Sequence, residues 1–141
     1  MLTVYAPAVL EGFEWVAPDR GVDHEALLQL DGTSRSSNWT PLNVRLIKAD
    51  VDSGNLHESD FPWLGVHALV LRRSAMEVLL GLLAHEAEFL PLACADAELW
   101  VLNPLRVDDA LDESNSDVVR FGDGKLLKID RPVFDALLLK T

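Results

Sequence analysis

Hydrophobic and polar positions alternate with a period of two in "LNVRLIKAD", where Leu42, Val44 and Leu46 stand against Asn43, Arg45 and Ile47. That pattern predicts a half-buried strand, and Pro41 before it suits a strand start. "GVHALVLRR" is a near-continuous apolar run, which predicts a buried strand. "GFEWVAP" sets Phe13 and Trp15 against Glu14 and predicts a short or edge strand. "LTVYAPAV" begins as a strand and is cut by Pro7, and "HEALLQLDG" fits either a helical turn or a strand ending at Asp31-Gly32.

The period changes in "RRSAMEVLLGLLAHEAEFLP". Met76, Leu79, Leu80, Leu83 and Ala87 recur at helical spacing and define an expected core face. Ser74 and Glu77 have the spacing of a capping box, which predicts a helix over residues 75–87, ending before Pro91. "ELWVLNPLRV" predicts a strand interrupted at Asn103-Pro104. "DVVRF" and "KLLKID" flank "GDG", a hairpin signal in which Asp123-Gly124 tolerates positive φ. A three-residue loop there would bring Val119 near Leu127. "RPVFDALLLKT" fits a short helix or a strand, and "DGTSRSSNWTP" and "VDSGNLHESDFPW" are polar, turn-rich loops. The expected fold class is α+β, with mostly antiparallel strands packed on one long central helix and a C-terminal hairpin.

Composition narrows the classes of function. The 141 residues are 49% hydrophobic and 25% charged, a globular composition for one domain. The net charge is −11, which argues against nucleic acid as a direct partner and against anionic membrane surfaces. The same charge suits a basic protein partner, though solubility alone also explains it. Cys94 is the single cysteine, so no intrachain disulfide is expected, and it reads as a small packing residue. The N-terminus lacks a basic region and Glu11 interrupts its apolar run, so no signal peptide is expected. The apolar runs are shorter than the ~20 residues that cross a bilayer, and a cytoplasmic location is expected.

The densest chemistry is in "RVDDALDESNSDVVRFGDGK", where Asp108, Asp109, Asp112 and Glu113 crowd together. As a calcium loop starting at Asp112 it fails. Asp117 stands where the turn needs Gly, and Arg120 stands where a ligand is needed. "AHEAEF" offers His85 and Glu86 but Phe89 in place of the second zinc histidine, and His24, His57, His67 and His85 have no ligand spacing. His67, in an apolar strand pattern, reads as a core or sheet histidine. No nucleophile elbow, phosphate loop or dinucleotide fingerprint occurs. No catalytic, cofactor-binding or metal-binding residue is therefore assigned. Trp39 and Trp63, beside Pro41 and Pro62 in polar loops, are candidate partner anchors and equally candidate core caps.

The motifs "SNWTPLNVRLI", "DFPWL", "RRSAMEVLLGLL", "EFLPL", "LWVLNPLRVDDALDESNSDVVRF" and "GKLLKIDRPVFD" follow one another over residues 37–138. This order resembles the eleventh numbered immunity family of bacterial polymorphic toxin systems, which includes fruiting-body developmental proteins of myxobacteria. The matching positions are Trp39, Pro41, Asp60, Phe61, Ser74, Glu88, Leu90, Pro91, Asn103, Leu111, Asp112, Ser116 and Phe134. Family members usually continue past "VFD" into another strand. The resemblance thus implies one immunity-type domain over residues 1–141 without the family's last strands.

It implies a non-enzymatic protein, without catalytic residues or cofactor, that occludes a cognate toxin domain made by the same cell or its kin. Given the charge, that toxin is expected to be basic. Asp108, Asp109 and Glu113, with Trp39 and Trp63, are the expected contacts. Ser74, Glu77, Asp112, Ser116, Asp123 and Gly124 are expected to shape the scaffold. A non-toxin regulatory or structural binding module and a hydrolase using the acidic cluster are the alternatives. Toxin activity and oligomeric state stay open.

Overall fold

Val44 and Leu46 are buried while Asn43 and Arg45 are exposed, as the alternation in "LNVRLI" requires. The computed structural model describes residues 3–52, 54–65 and 68–135; His67 lies outside the described residues. Two units are distinguished, Tyr5–Arg106 and a second one containing Val107–Thr141.

The first unit is built on a five-stranded mixed sheet of β1 (Trp15–Pro18), β2 (Leu42–Ile47), β5 (Val70–Arg72), β6 (Ala87–Ala93) and β7 (Leu99–Pro104). Their order across the sheet is β1-β2-β6-β7-β5. β2 and β6 pair in parallel through Leu42–Leu92 and Asn43–Ala93, and the other neighbours are antiparallel. A small ribbon, β3 (Ala49–Asp50) with β4 (Gly54–Asn55), and two helices, α1 (Gly21–Leu28) and α2 (Arg73–Leu83), complete it. One face of the sheet carries Val16, Val44, Leu46, Val70, Leu90, Leu92, Leu99 and Val101. With Leu27 of α1 they form the core, and Trp39 and Cys94 pack at its margin.

The expected helix-centred architecture is not the one found. No single long helix exists among the described residues; the sheet dominates and both helices are short. α2 stops at Leu83, and after a turn closed by the Glu86 N–H on the Leu83 carbonyl (2.9 Å) the chain returns as β6. As a strand, residues 87–93 bury Leu90 and Leu92 on the core face and Ala87 on the other. The helical spacing also misled about burial. Of α2 only Ala75 is buried, Met76, Leu79 and Leu83 are half-buried, and Leu80 is exposed. Nor is there a capping box. Arg72 is the N-cap residue and has extended backbone. The Ser74 hydroxyl donates to the Asp60 carboxylate, and Glu77 pairs with Arg73 at 3.5 Å. Glu77→Ala is therefore expected to change stability by less than about 0.5 kcal/mol in a urea melt, where loss of a formed cap would cost about 1 kcal/mol.

Other expectations shift too. Residues 3–10 have no regular secondary structure and are exposed, and "HEALLQLDG" contributes to α1. β7 runs through Asn103 to Pro104 without interruption. In β1 the faces are reversed: Glu14 and Val16 point inward and Trp15 outward.

The second unit contains the hairpin of β8 (Asp117–Arg120) and β9 (Leu126–Arg131). The Phe121 N–H binds the Lys125 carbonyl (2.8 Å), and the Gly124 N–H binds the Phe121 carbonyl (2.9 Å), which closes a three-residue loop. Gly124 takes φ +87°, the left-handed conformation that such a loop needs at its last position. Asp123 keeps negative φ and accepts the Lys125 N–H at 3.0 Å. Irregularities in the ladder place Val119 opposite Lys128, not Leu127.

Candidate functional site

Polar groups organise the loops of the first unit through two carboxylates. Glu88 and Asn103 are directly paired across β6 and β7 and so lie on one face of the sheet. Asn103 has no exposed surface (0%), and its amide donates to Glu88 Oε2 (3.0 Å) and to the Thr33 carbonyl (3.0 Å). Glu88 also accepts the Arg35 backbone N–H (2.8 Å), the Ser36 hydroxyl (2.9 Å) and the Ser34 hydroxyl. Burial opposes ionisation of Glu88, but the donors from Arg35, Ser34, Asn103 and Ser36 outweigh it and hold the carboxyl at about 2. Asp31 shapes the same loop. It accepts the Thr33 hydroxyl (2.7 Å) and N–H (3.1 Å), and these bonds, helped by Arg35, lower its carboxyl to about 2. Farther along, the Trp39 indole donates to the Pro91 carbonyl (2.8 Å). The 33–39 segment is thus pinned along β6 where β2 no longer pairs with it.

The second carboxylate is Glu14, 4% exposed beside β1. Arg72 Nη2 and Nε reach its Oε1 at 2.6 and 2.8 Å, and the Ser59 N–H reaches the same atom at 3.0 Å. Arg72 Nε also meets the Ser59 carbonyl at 3.1 Å. This knot ties the 57–61 segment between β1 and the start of α2. The bond from the Arg72 N–H to the Asp60 carbonyl (2.9 Å) and the Ser74–Asp60 contact complete it.

In the second unit Asp112 is the centre of the bend. Its carboxylate accepts the Asn115 amide (2.7 Å), the Ser114 hydroxyl (2.6 Å) and both backbone N–H groups (3.1 and 3.2 Å), which together hold it below the usual carboxylate range. Ser116 donates to the Asp112 carbonyl (2.6 Å) and accepts the Val133 N–H (2.8 Å). Leu111 and Phe134 form a bridge beside it. Asp108, Asp109 and Glu113 are exposed, with Glu113 paired to Arg120. Trp39 and Trp63 are both half-buried. Trp39 packs on the core, and Trp63 bridges to Trp15, its carbonyl accepting the Val16 N–H at 2.8 Å.

The chemistry of these groups is that of fixed anions. Glu88 and Asp112 are saturated with donors and stay ionised near neutrality, so neither is poised to exchange a proton there. Among the described residues, no three His, Cys, Asp or Glu side chains converge as a metal-binding set. No described helix is long and apolar enough to cross a membrane.

Sequence reasoning missed the roles of Glu14 and Arg72, and placed Glu88 and Asn103 only through the resemblance. A signal was present. A lone polar residue at an inward position of an apolar strand, as in "FEWV" or "VLNPL", implies a buried partner elsewhere in the chain. No family model matches this chain, and no curated protein matches it.

Proposed function

We propose that this is a cytoplasmic immunity protein that neutralises a cognate, basic toxin domain of a polymorphic toxin system by stoichiometric binding, without catalysis. One observation carries this reading: ten of the thirteen positions on which the resemblance to the eleventh immunity family rests are joined two by two in the folded chain. Trp39 bonds Pro91, Ser74 bonds Asp60, Asn103 bonds Glu88, Ser116 bonds Asp112, and Leu111 bridges Phe134. Buried polar groups of any folded chain find partners, and these pairs show which of the matching positions hold the loops. A family that keeps a scaffold while changing partners would retain such residues.

Asp108, Asp109 and Glu113 lie outside that framework, exposed on the acidic bend, and form the proposed toxin contact there. Their charge accelerates encounter with a basic surface.

Co-expression with the product of the adjacent gene tests the proposal. A one-to-one complex that survives purification, with restored growth of cells carrying the toxin, is expected. Failure of both complex formation and rescue excludes the immunity role and leaves a binding module of another kind. Charge reversal at Asp108, Asp109 and Glu113 is expected to slow association by about tenfold or more at low salt, with the difference shrinking as salt rises. Unchanged association kinetics would remove the bend from the interface.

A further inference from the structure

The first unit carries an open groove of about 420 Å³ between residues 9–15 and the β3–β4 ribbon. Val9 is 61%, Leu10 65% and Trp15 40% exposed, so three large apolar side chains stand together in solvent at its wall. The fold does not account for them: Trp15 points away from the core that Val16 joins, and Val9 and Leu10 belong to a segment with no regular structure. Apolar surface gathered in a concavity is where a partner gains most from displacing water. Carboxylates from both sides, Glu11, Asp50 and Asp52, also line the groove, and no Lys or Arg stands among its described lining residues.

We infer that this groove is a docking site for a basic segment of a protein partner, one that sets aliphatic side chains beside Lys or Arg. The aliphatic groups lie against Val9, Leu10 and Trp15, and the cations meet Glu11 and Asp52. An acidic or purely apolar segment leaves the carboxylates repelled or stripped of water, so charge selects the occupant. The site rests on the immunity reading only for its biological partner, the toxin; its ligand chemistry follows from the groove itself.

Fluorescence anisotropy with two labelled hexapeptides, KLKLKL and ELELEL, provides the test. Saturable binding of KLKLKL that weakens with salt is expected, with none for ELELEL. Glu11→Lys with Asp52→Lys is expected to lower KLKLKL affinity about tenfold or more, and Val9→Ser severalfold, both with unchanged circular dichroism. The charge-matched pair Glu25→Lys and Asp130→Lys is expected to stay within about twofold of the parent, because long-range charge is screened. Equal binding of both peptides, no binding at millimolar peptide, or an equal loss in the control pair overturns the site. So does a concentration-dependent dimer in sedimentation that Val9→Ser dissolves, which would assign the groove to a second copy. The two proposals fail separately. A wild-type chain that captures no toxin sinks the immunity role while the peptides still decide the groove. Undiminished toxin capture by the Glu11/Asp52 variant removes the groove from the toxin interface.

Discussion

Arg72→Ala is expected to lower the unfolding free energy by about 3–5 kcal/mol. Glu14 is 4% and Arg72 17% exposed at their side chains, and the pair meets at 2.6 Å. Without the guanidinium, Glu14 retains the Ser59 N–H as its remaining described donor, and an ionised carboxylate so enclosed has lost most of its hydration. The 57–61 segment loses its tie at the same time. Urea melts followed by circular dichroism measure the cost. The double variant Glu14→Gln, Arg72→Met is expected to recover a substantial part of it, since the damage comes from the orphaned charge and not from the loss of attraction alone. A cost below about 1 kcal/mol for the single variant would mean that water screens the pair as it does at a surface.

Glu88→Gln is expected to remove about 2 kcal/mol at neutral pH, and the difference from the parent should close in acid. The sign follows from the depressed carboxyl. Glu88 titrates at about 2 in the folded chain against an ordinary 4.5. Its stabilisation is therefore fully present above about pH 4.5 and is lost as pH falls from there through about 2. The full linkage value would be about 3 kcal/mol, and solvent reaching this half-buried group reduces it to about 2. Because this acidic chain loses other carboxylate interactions in the same range, the quantity to follow is the parent-minus-variant difference across pH 2–7. A constant difference would show that Glu88 holds the 33–36 loop no better ionised than neutral.

The sequence was most readable where one strand buries one face. In β2, Val44 and Leu46 went inward as the alternation requires, and the "GDG" loop closed with Gly124 in the left-handed region. It was least readable where a distant partner decides the outcome. In "GFEWV" the aromatics outweigh the acid on any local scale, yet Glu14 is the inward residue because Arg72, 58 positions away, neutralises it. Ser74 and Glu77 have capping-box spacing, but the Ser74 hydroxyl goes to Asp60, which only the fold brings near. The 3.6-residue pattern ran past the end of α2 because Ala87 satisfies it as well as it satisfies a strand, and Pro91, taken as a stop, sits inside β6. The Glu88 site was half-visible: Asn103 is a lone amide in an apolar run, but nothing local says that its partners are Thr33 and Glu88.

Pro91 also affects what happens if the 33–39 segment comes away. Its carbonyl turns out of the β6–β7 ladder toward Trp39, and on a strand the nitrogen of the same residue faces the same way. An opened molecule therefore uncovers a β6 margin that lacks a donor at its middle. Such a margin is a poor template for another chain, so acid-loosened protein should remain free of strand-to-strand polymer even though the chain is rich in apolar segments.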